Sequence, residues 1–327
     1  MTTKRERLAA AIAGEVIDRP PVALWRHFPV DDQKPESLAE ATISFQEEFD
    51  FDFVKVSPSS SFCLRDWGVE DEWRGSAEGT RDYTTRVIHE AEDWLRLRTL
   101  PVGEGSLGNQ LSCLSILARH FGESVPYIQT IFSPLSQMKN LAGGELLVEH
   151  LHREPRSVEA GLKTIAATTI AFIEEARRRG VSGIFFAVQH ATFRMLDRDA
   201  FRRFGETFDR QVLEAAQGLW LNVLHLHGSA LMFDVAVTYP VSVVNWHDRE
   251  APPSLEQGKR SLEGAVCGGL RRWETMVLGT PASVVGEARQ AIRSVNGRGF
   301  ILGTGCVVPI VAPRANLKAA RAAVEPD

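Results

Sequence analysis

GIFFAVQHATFRMLDRDAFRRFGETFDRQVLEAAQGLWLNVLHLH, residues 183–227, contains one full alternation of strand and helix patterns. It begins with an apolar run at 183–189, continues through a helical pattern at 197–218 and ends in a second apolar run at 221–227. Neither run alternates cleanly between apolar and polar residues, which is typical of strands buried on both faces of a parallel sheet. With Asp199 as N-cap of the helix, the stretch is predicted to be one strand–helix–strand unit.

The same alternation extends on both sides of this unit. Eight runs of strand character lie at 21–27, 51–58, 126–132, 183–189, 221–227, 241–248, 264–270 and 299–306. Helical patterns separate many of them, including those at 157–180, 280–297 and 315–324. Eight strand–helix repeats predict an α/β fold of the (β/α)8 TIM-barrel type.

The chain has no linker or low-complexity segment that would divide it. We therefore expect residues 1–327 to form a single domain. The longest excursion between predicted strands, 59–125, is interpreted as an insertion after strand two. Within it the pattern at 72–88 is typical of a β-hairpin.

Composition excludes several classes of protein. With 44% hydrophobic residues the chain can bury a large core, and its net charge of −5 argues against nucleic-acid binding, which requires a basic face. The amino terminus does not have the pattern of a signal peptide, and no apolar run is long enough to cross a bilayer. Four cysteines are too few for a disulfide framework in 327 residues, so a reducing cytoplasm is the expected setting.

A barrel enzyme has its active site at the carboxyl-terminal ends of the strands. Polar residues and glycines that fall at these predicted ends are His27, Ser57, Gln189, His190, His225, His227, His247, Asp248, Gly268, Gly269 and Cys306.

Three of these residues form a pattern typical of a metal site. Residues i and i+2 of a strand face the same side, so His225 and His227 project together. If the last strand ends beside them, Cys306 completes a His-His-Cys set suited to zinc, and three protein ligands leave a fourth position open for catalysis. The alternative is a pair of core histidines with a cysteine that only packs.

A second set of residues is predicted to act in catalysis. His247 stands beside Asp248 at the next strand end, where it is a candidate acid–base or orienting group. Neighbouring strand residues face opposite ways, so the two can also separate. Arg26 at the end of strand one can hold a carboxylate or phosphate, or form an ion pair under a loop. Gln189 can hydrogen-bond a ligand.

The remaining candidates are predicted to contact substrate. His27 ends strand one and His190 ends strand four, and Lys55 lies inside strand two, where a buried lysine requires a partner. Asp248 belongs to the same group. Gly268 and Gly269 favour close approach of the backbone to a ligand, although a tight loop would explain them equally well.

The two ends of the chain resemble those of the uroporphyrinogen decarboxylase superfamily. RLAAAIAGEVIDRPPVALWRH at 7–27 and GRGFILGTGCVVPIVAPRANLKAARAAV at 297–324 carry the resemblance. SPLSQMKNLAGG at 133–144, FGETFDRQVLEAA at 204–216 and HLHG at 225–228 continue it between them. The resemblance covers nearly the whole chain and implies a (β/α)8 barrel.

The resemblance implies one of two chemistries. The true decarboxylases use no metal and hold a carboxylate-rich tetrapyrrole with arginines, an aspartate, a tyrosine and a late histidine. At the matching places this chain keeps only Arg26 of the arginine-rich loop and has Pro58 for the aspartate, Asn140 for the tyrosine and Cys306 for the histidine. These departures count against porphyrinogen decarboxylation.

The other branch of the superfamily consists of zinc-dependent methyltransferases. They move a methyl group from a corrinoid protein to a thiol such as coenzyme M, and their zinc ligands are His-x-Cys and a late cysteine. His225, His227 and Cys306 stand at the matching places, with histidine replacing the first cysteine at 227. One thiolate fewer leaves the metal more positive, so that water becomes conceivable as an acceptor and hydrolytic or lyase chemistry becomes the alternative at this site.

The resemblance thus predicts a zinc-dependent methyltransferase-like enzyme with Zn²⁺ as cofactor and a methylcorrinoid (cobalamin) as co-substrate. The alternatives are a metal-free lyase of the decarboxylase type and a non-catalytic barrel that binds a tetrapyrrole or corrinoid. A small thiol or carboxylated substrate, a corrinoid protein and a second copy in a homodimer are the partners to test. Neither nucleic acid nor membrane is expected.

Overall fold

Residues 2–326 are described by a computed structural model in which parallel strands form one curled sheet. Its seven strands, each hydrogen-bonded to the next, are β1 Val54–Val56, β4 Tyr127–Phe132, β5 Gly183–Val188, β6 Val223–Leu226, β7 Val243–Trp246, β8 Ala265–Leu270 and β9 Phe300–Thr304. Every residue of these strands is buried, as expected for strands covered on both faces. Two further strands, β2 Glu70–Glu72 and β3 Asp82–Thr85, form an antiparallel hairpin.

Helices cover the outer face of the sheet. They are α1 Lys4–Ala13, α2 Pro35–Phe49, α3 Asp93–Arg96, α4 Gly105–Phe121, α5 Pro134–Ala142, α6 Gly144–Arg153, α7 Pro155–Arg178, α8 Arg198–Phe201, α9 Thr207–Ala215, α10 Asp234–Thr238, α11 Leu255–Ser261, α12 Pro281–Ser294 and α13 Arg314–Ala322. The alternation of strands and helices confirms the prediction of an α/β, TIM-barrel-like fold. No helix among residues 2–326 combines the length and apolar character needed to cross a bilayer.

The segment around Val22 connects the two edges of the sheet. It forms an isolated parallel bridge with Leu302 of β9, and its carbonyl accepts from the Asp52 N–H, just before β1, at 2.8 Å. The predicted strand at 21–27 is therefore reduced to a single bridge. Pro21 has no N–H to donate, and the N–H of Val22 is taken by the Asp52 carboxylate at 2.8 Å instead of a strand carbonyl.

The hairpin lies within the excursion that follows β1. Its strands are shorter than the pattern at 72–88 suggested, and they are joined by residues 73–81, called the hairpin loop below. The loop packs on the carboxyl-terminal side of the barrel, where the Ala77 carbonyl accepts from the Ile310 N–H at 2.8 Å. A Cβ on Gly79 would lie 2.6 Å from the Cβ of His27, so only glycine permits this contact.

The helix in the opening stretch begins two residues earlier than expected. Asp197, not Asp199, is the N-cap, because its side chain accepts from the Ala200 N–H at 2.8 Å. Asp199 points outward and pairs with Arg202 instead. A π-helical turn over Arg202–Glu206 joins α8 to α9.

Candidate metal centre

Three histidines and one cysteine meet at the carboxyl-terminal end of the barrel. His225 lies on β6, His227 directly after it, His247 directly after β7 and Cys306 after β9. The Nδ1 atom of His227 lies 3.4 Å from Nε2 of His225, 3.3 Å from Nε2 of His247 and 3.8 Å from Sγ of Cys306. All four donor atoms lie within 4.8 Å of one another.

The three distances from His227 Nδ1 are compatible with a tetrahedral zinc ion. With Zn–N bonds of about 2.0–2.1 Å and a Zn–S bond of about 2.3 Å, tetrahedral ligands are separated by roughly 3.3–3.4 Å for N···N and roughly 3.6 Å for N···S. The contacts of His227 Nδ1, at 3.4, 3.3 and 3.8 Å, are close to these values. Imidazole and thiolate are also the ligand types that zinc prefers.

Asn245 fixes the ring of His225. Its side-chain amide donates to the carbonyl groups of Cys267 at 2.9 Å and Thr304 at 3.0 Å, which turns its oxygen toward His225. That oxygen accepts from Nδ1 of His225 at 2.7 Å. Nε2 of His225 consequently carries the lone pair and faces the cluster.

Glu250 plays the corresponding part for His247. Its Oε2 lies 3.2 Å from Nδ1 of His247, and its Oε1 accepts from Nε of Arg272 at 3.3 Å. Partial burial would raise the pKa of Glu250, but the hydrogen bond and charge of Arg272 outweigh it and lower the pKa. The ionised carboxylate accepts the Nδ1 proton, which leaves Nε2 of His247 free to act as a ligand.

The resulting tautomers direct electron pairs toward one point. In their neutral forms, with Nδ1 donating to Asn245 or Glu250, His225 and His247 direct the lone pairs of Nε2 toward Nδ1 of His227. Nδ1 of His227 can donate one hydrogen to one of them only. A shared cation would satisfy all these lone pairs together with the Cys306 sulfur, so the residues fit a bound metal ion.

Cys306 differs from the other cysteines in its acidity. Burial alone would raise its pKa, yet the nearby imidazoles of His225, His227 and His247 hold the pKa of this thiol well below its ordinary range. Burial raises the pKa of the other three thiols, to about 12 for Cys113 and higher for Cys63 and Cys267. The free cysteine in the cluster is thus the one set up as a thiolate ligand.

A cavity of about 210 Å³ opens beside the cluster. His225, His227 and Cys306 contribute to its wall. Other polar residues that line it are His27, Lys55, Ser60, Glu78, Thr80, Arg81, Tyr83, Thr130, Lys139, Asn140 and Gln189. The structure therefore brings Gln189, His27 and Lys55 together with the predicted ligands.

Lys55 is a buried cation in this wall without an acidic partner. Its ammonium group donates to Ser57 Oγ at 3.1 Å and lies 4.8 Å from the centre of the Phe185 ring. Within residues 2–326, no carboxylate oxygen lies within 4.0 Å of Lys55 or Lys139. Burial lowers the pKa of Lys55 to about 8 and also lowers that of Lys139. Both groups retain capacity to bind an anion in the cavity.

Other predicted site residues lie away from the cavity wall. Arg26 places its guanidinium over the rings of Phe28 and Phe45, at 5.2 and 5.5 Å. His190 is buried, contacts Ser136 Oγ at 3.2 Å and has its pKa lowered by burial to about 3.

Asp248, Gly268 and Gly269 form a local contact of their own. The Asp248 carboxylate accepts from the Gly269 N–H at 3.2 Å, and burial raises the pKa of Asp248 to about 7. A Cβ on Gly268 would lie 2.4 Å from Oδ1 of Asp248, which accounts for a glycine there. Asp248 and His247 face different surroundings. Of the two possibilities given by the sequence, interaction or separation, the structure shows separation.

Sequence reasoning missed several residues that shape the site. His247 was expected as an acid–base or orienting group, and its Nε2 also lies within 4.8 Å of the donor atoms of His225, His227 and Cys306. Asn245 carried a usable signal, because it lies two residues before His247 on a buried strand. Lys139 stood in a quoted segment without being singled out, and Glu250 and Arg272 depend on loop conformations that no spacing rule gives.

Comparison with known proteins supports the fold, and the matches extend over nearly the whole chain. The family model described as Uroporphyrinogen decarboxylase (URO-D) matches residues 3–326. The chain is 22% identical to the methylcobamide:CoM methyltransferase MtbA of Methanosarcina acetivorans over 341 aligned positions, covering 97% of this chain and 96% of that protein.

Two solved structures show the same architecture. A methyltransferase from Methanosarcina mazei superposes with a TM-score of 0.87 at 18% identity, covering 99% of this chain and 98% of that one. A B12-independent methionine synthase from Shewanella sp. W3-18-1 gives a TM-score of 0.60 at 14% identity, with 97% of each chain covered. At these identities the superpositions show the fold, and the match to the family model carries the assignment: the chain belongs to the uroporphyrinogen decarboxylase family.

Proposed function

We propose that this protein is a zinc-dependent methyltransferase-like enzyme that activates a thiol for methyl transfer from a methylcorrinoid. The observation that carries the proposal is the convergence of His225, His227, His247 and Cys306, with donor atoms within 4.8 Å of one another, beside a cavity. The MtbA relative, whose name gives a methylcobamide as donor and CoM as acceptor, supports this choice of donor and acceptor.

Zinc, when bound, supplies a Lewis acid that lowers the pKa of a thiol or water ligand. His225, His227, His247 and Cys306 would hold the ion. Cys306 would provide the single negative ligand, and Asn245 and Glu250 would keep His225 and His247 in the tautomers that ligation requires. His227 has no second hydrogen bond of this kind among the described residues, and it lines the cavity. Of the residues that would hold the metal, His227 would thus be the least restrained and the one that an acceptor could displace.

The cavity wall favours an anionic acceptor. Lys55 and Lys139 offer two cations without acidic partners, and Gln189, Thr130 and Asn140 add hydrogen-bonding groups. His27 is neutral at physiological pH, because burial lowers its pKa to about 4. A thiol that carries a carboxylate or another acidic group would place this group against the lysines and its sulfur toward the cluster.

The size of the cavity counts against one of the alternatives, the decarboxylation of a porphyrinogen. At about 210 Å³ it is smaller than the range of about 300–1,000 Å³ typical of ligand pockets. A tetrapyrrole with its side chains does not fit inside such a volume, which counts against decarboxylation of a porphyrinogen in this cavity. A methylcorrinoid held by a carrier protein would instead stay outside the cavity and present its methyl group at the cavity mouth.

We also propose a domain organisation and a partner for the protein. Residues 1–327 are taken as a single domain with 59–125 inserted after the second predicted strand. A corrinoid protein is the proposed partner, and a homodimer stays a prediction. Substrate contacts by His190, Asp248, Gly268 and Gly269, and a catalytic role for Arg26, likewise stay predictions.

The test is reconstitution followed by turnover. The protein is purified in chelator, loaded with zinc, and supplied with methylcobalamin and a panel of thiols that differ in charge. We expect one zinc per chain and methylation of an anionic thiol, both lost in Cys306→Ser. A chain that takes up no zinc under these conditions would overturn the proposal. A matched control is Cys113→Ser, which removes a buried cysteine on α4 outside the cluster.

A further inference from the structure

We infer that Glu250 and Arg272 are positioning residues that couple the metal centre to the hairpin loop over the cavity. The inference rests on the proposed function, because it concerns the same metal centre. Its basis is a continuous chain of polar contacts from His247 through Glu250 and Arg272 to Glu78, which lies in the hairpin loop.

The first half of this chain joins the loop after β7 to the loop after β8. Oε2 of Glu250 lies 3.2 Å from Nδ1 of His247, and Oε1 of the same carboxylate accepts from Nε of Arg272 at 3.3 Å. The two oxygens are thus divided between the imidazole and the guanidinium. Movement of Arg272 would pull the carboxylate away from His247, and the ring would lose the partner that fixes its tautomer.

The second half joins Arg272 to the hairpin loop. The guanidinium NH1 donates to Oε1 of Glu78 at 2.8 Å, and the same oxygen accepts from the Trp273 indole at 3.2 Å. Glu78 also contributes to the cavity wall. The hairpin loop therefore covers the cavity while it is held by the residue that orients Glu250.

Burial strengthens the ion pairs of Arg272. The Arg272 side chain is only 9% exposed, so its charge is poorly screened and requires both carboxylates. Arg272 cannot keep both contacts if the hairpin loop lifts away. Because such coupling is reciprocal, a metal ion that fixes His247 should stabilise the closed loop, and a closed loop should strengthen metal binding.

The experiment compares metal affinity and loop protection in the full-length protein. Zinc affinity is measured by competition with a chromophoric chelator, and hydrogen exchange of residues 70–85 is followed with and without zinc. Glu250→Gln, Arg272→Gln and Glu78→Gln are compared with wild type. Arg271→Gln and Glu256→Gln are matched controls, since Arg271 pairs with Glu287 and Glu256 with Arg260, outside the polar chain. Thermal unfolding of the metal-free proteins identifies variants that only lose stability.

We expect Glu250→Gln to bind zinc 10- to 100-fold more weakly, as is usual when the partner of a ligand histidine is removed. Zinc should slow exchange of the hairpin loop in wild type and in both controls, and this protection should disappear in Arg272→Gln and Glu78→Gln. Glu78→Gln should also weaken zinc binding, although it lies two contacts away from His247.

Two results would overturn the inference while the proposed function stands. One is wild-type zinc affinity in Glu250→Gln and Arg272→Gln; the other is hairpin protection that zinc does not change in wild type. A further result would be a lower unfolding temperature of the metal-free variants with zinc affinity and hairpin protection unchanged. Such a result would show that these contacts form only a structural ion pair. If wild type itself binds no zinc, the proposed function fails and the inference fails with it.

Discussion

Replacing Asn245 by alanine should lower both the free energy of unfolding and the affinity for zinc. The hydrogen bonds of Asn245 give a separate magnitude for each effect. The side chain is fully buried and makes three hydrogen bonds, to His225 and to the carbonyl groups of Cys267 and Thr304. At about 1 kcal/mol each, their loss should lower the free energy of unfolding by roughly 3 kcal/mol. Loss of the partner of His225 should weaken zinc binding 10- to 100-fold, or about 1.4–2.7 kcal/mol.

Urea unfolding of the metal-free protein measures the first quantity, and chelator competition measures the second. Asn245→Asp separates them, because a carboxylate still accepts from His225 but cannot donate to the two carbonyl groups. We expect this variant to lose stability while zinc affinity is retained. Zinc affinity in Asn245→Ala within twofold of wild type would refute the reasoning, since His225 would then be held by something other than Asn245.

Further variants at His227, Lys55 and Asp52 test the metal centre, the cavity and the barrel edge. His227→Ala should bind zinc more tightly than His225→Ala does, because His225 is held by Asn245 and His227 has no such restraint; equal losses in chelator competition would contradict the assignment of His227 as the displaceable donor. Lys55→Met should raise KM for an anionic thiol about tenfold or more and change kcat less, since a hydrogen bond to a charged group contributes about 1.5–3 kcal/mol. The pKa of Lys55 near 8 means that the charged form is lost as pH rises through about 8, so KM should rise there in wild type but not in Lys55→Arg; a pH-independent KM would argue against a role for Lys55. Asp52→Asn should lower the free energy of unfolding by about 1.5–3 kcal/mol, because it removes the fully buried carboxylate that Arg7 and Arg19 share. The acidic partners that remain are Asp18 for Arg7 and Glu325 for Arg19, both partly exposed. A loss below about 1 kcal/mol in urea unfolding would show that the Asp52 carboxylate does not hold the barrel edge.

The fold followed from the sequence wherever burial alone determines the pattern. Runs such as 183–188 and 265–270 are buried on both faces, so an unbroken apolar stretch marks them as strands of a parallel sheet. The run at 21–27 was misjudged because an apolar pattern does not show where hydrogen bonds go. Pro21 lacks a donor, and the Asp52 side chain takes the N–H of the next residue.

The part of the candidate site that lies on strands or at their ends was predictable from the sequence. His225 and His227 share a face because the chain is extended there, and Cys306 joins them because the strand ends of a barrel meet at one rim. The sequence did not group His247 with His225, His227 and Cys306, because the chain turns directly after β7, where the Asp248 N–H is bonded to the Trp246 carbonyl at 2.8 Å. Strand alternation no longer applies at such a turn, and Glu250 and Arg272 lie in loops whose paths depend on tertiary contacts.

X-ray absorption at the zinc edge of the reconstituted protein identifies the ligand atoms of the metal. The account predicts one sulfur neighbour at about 2.3 Å and three nitrogen neighbours at about 2.0–2.1 Å, with the sulfur shell lost in Cys306→Ser and one nitrogen lost in His247→Ala. An added sulfur in place of nitrogen on soaking with an anionic thiol would match displacement of His227. A zinc shell without sulfur, or one unchanged by both substitutions, would contradict a metal centre built from His225, His227, His247 and Cys306.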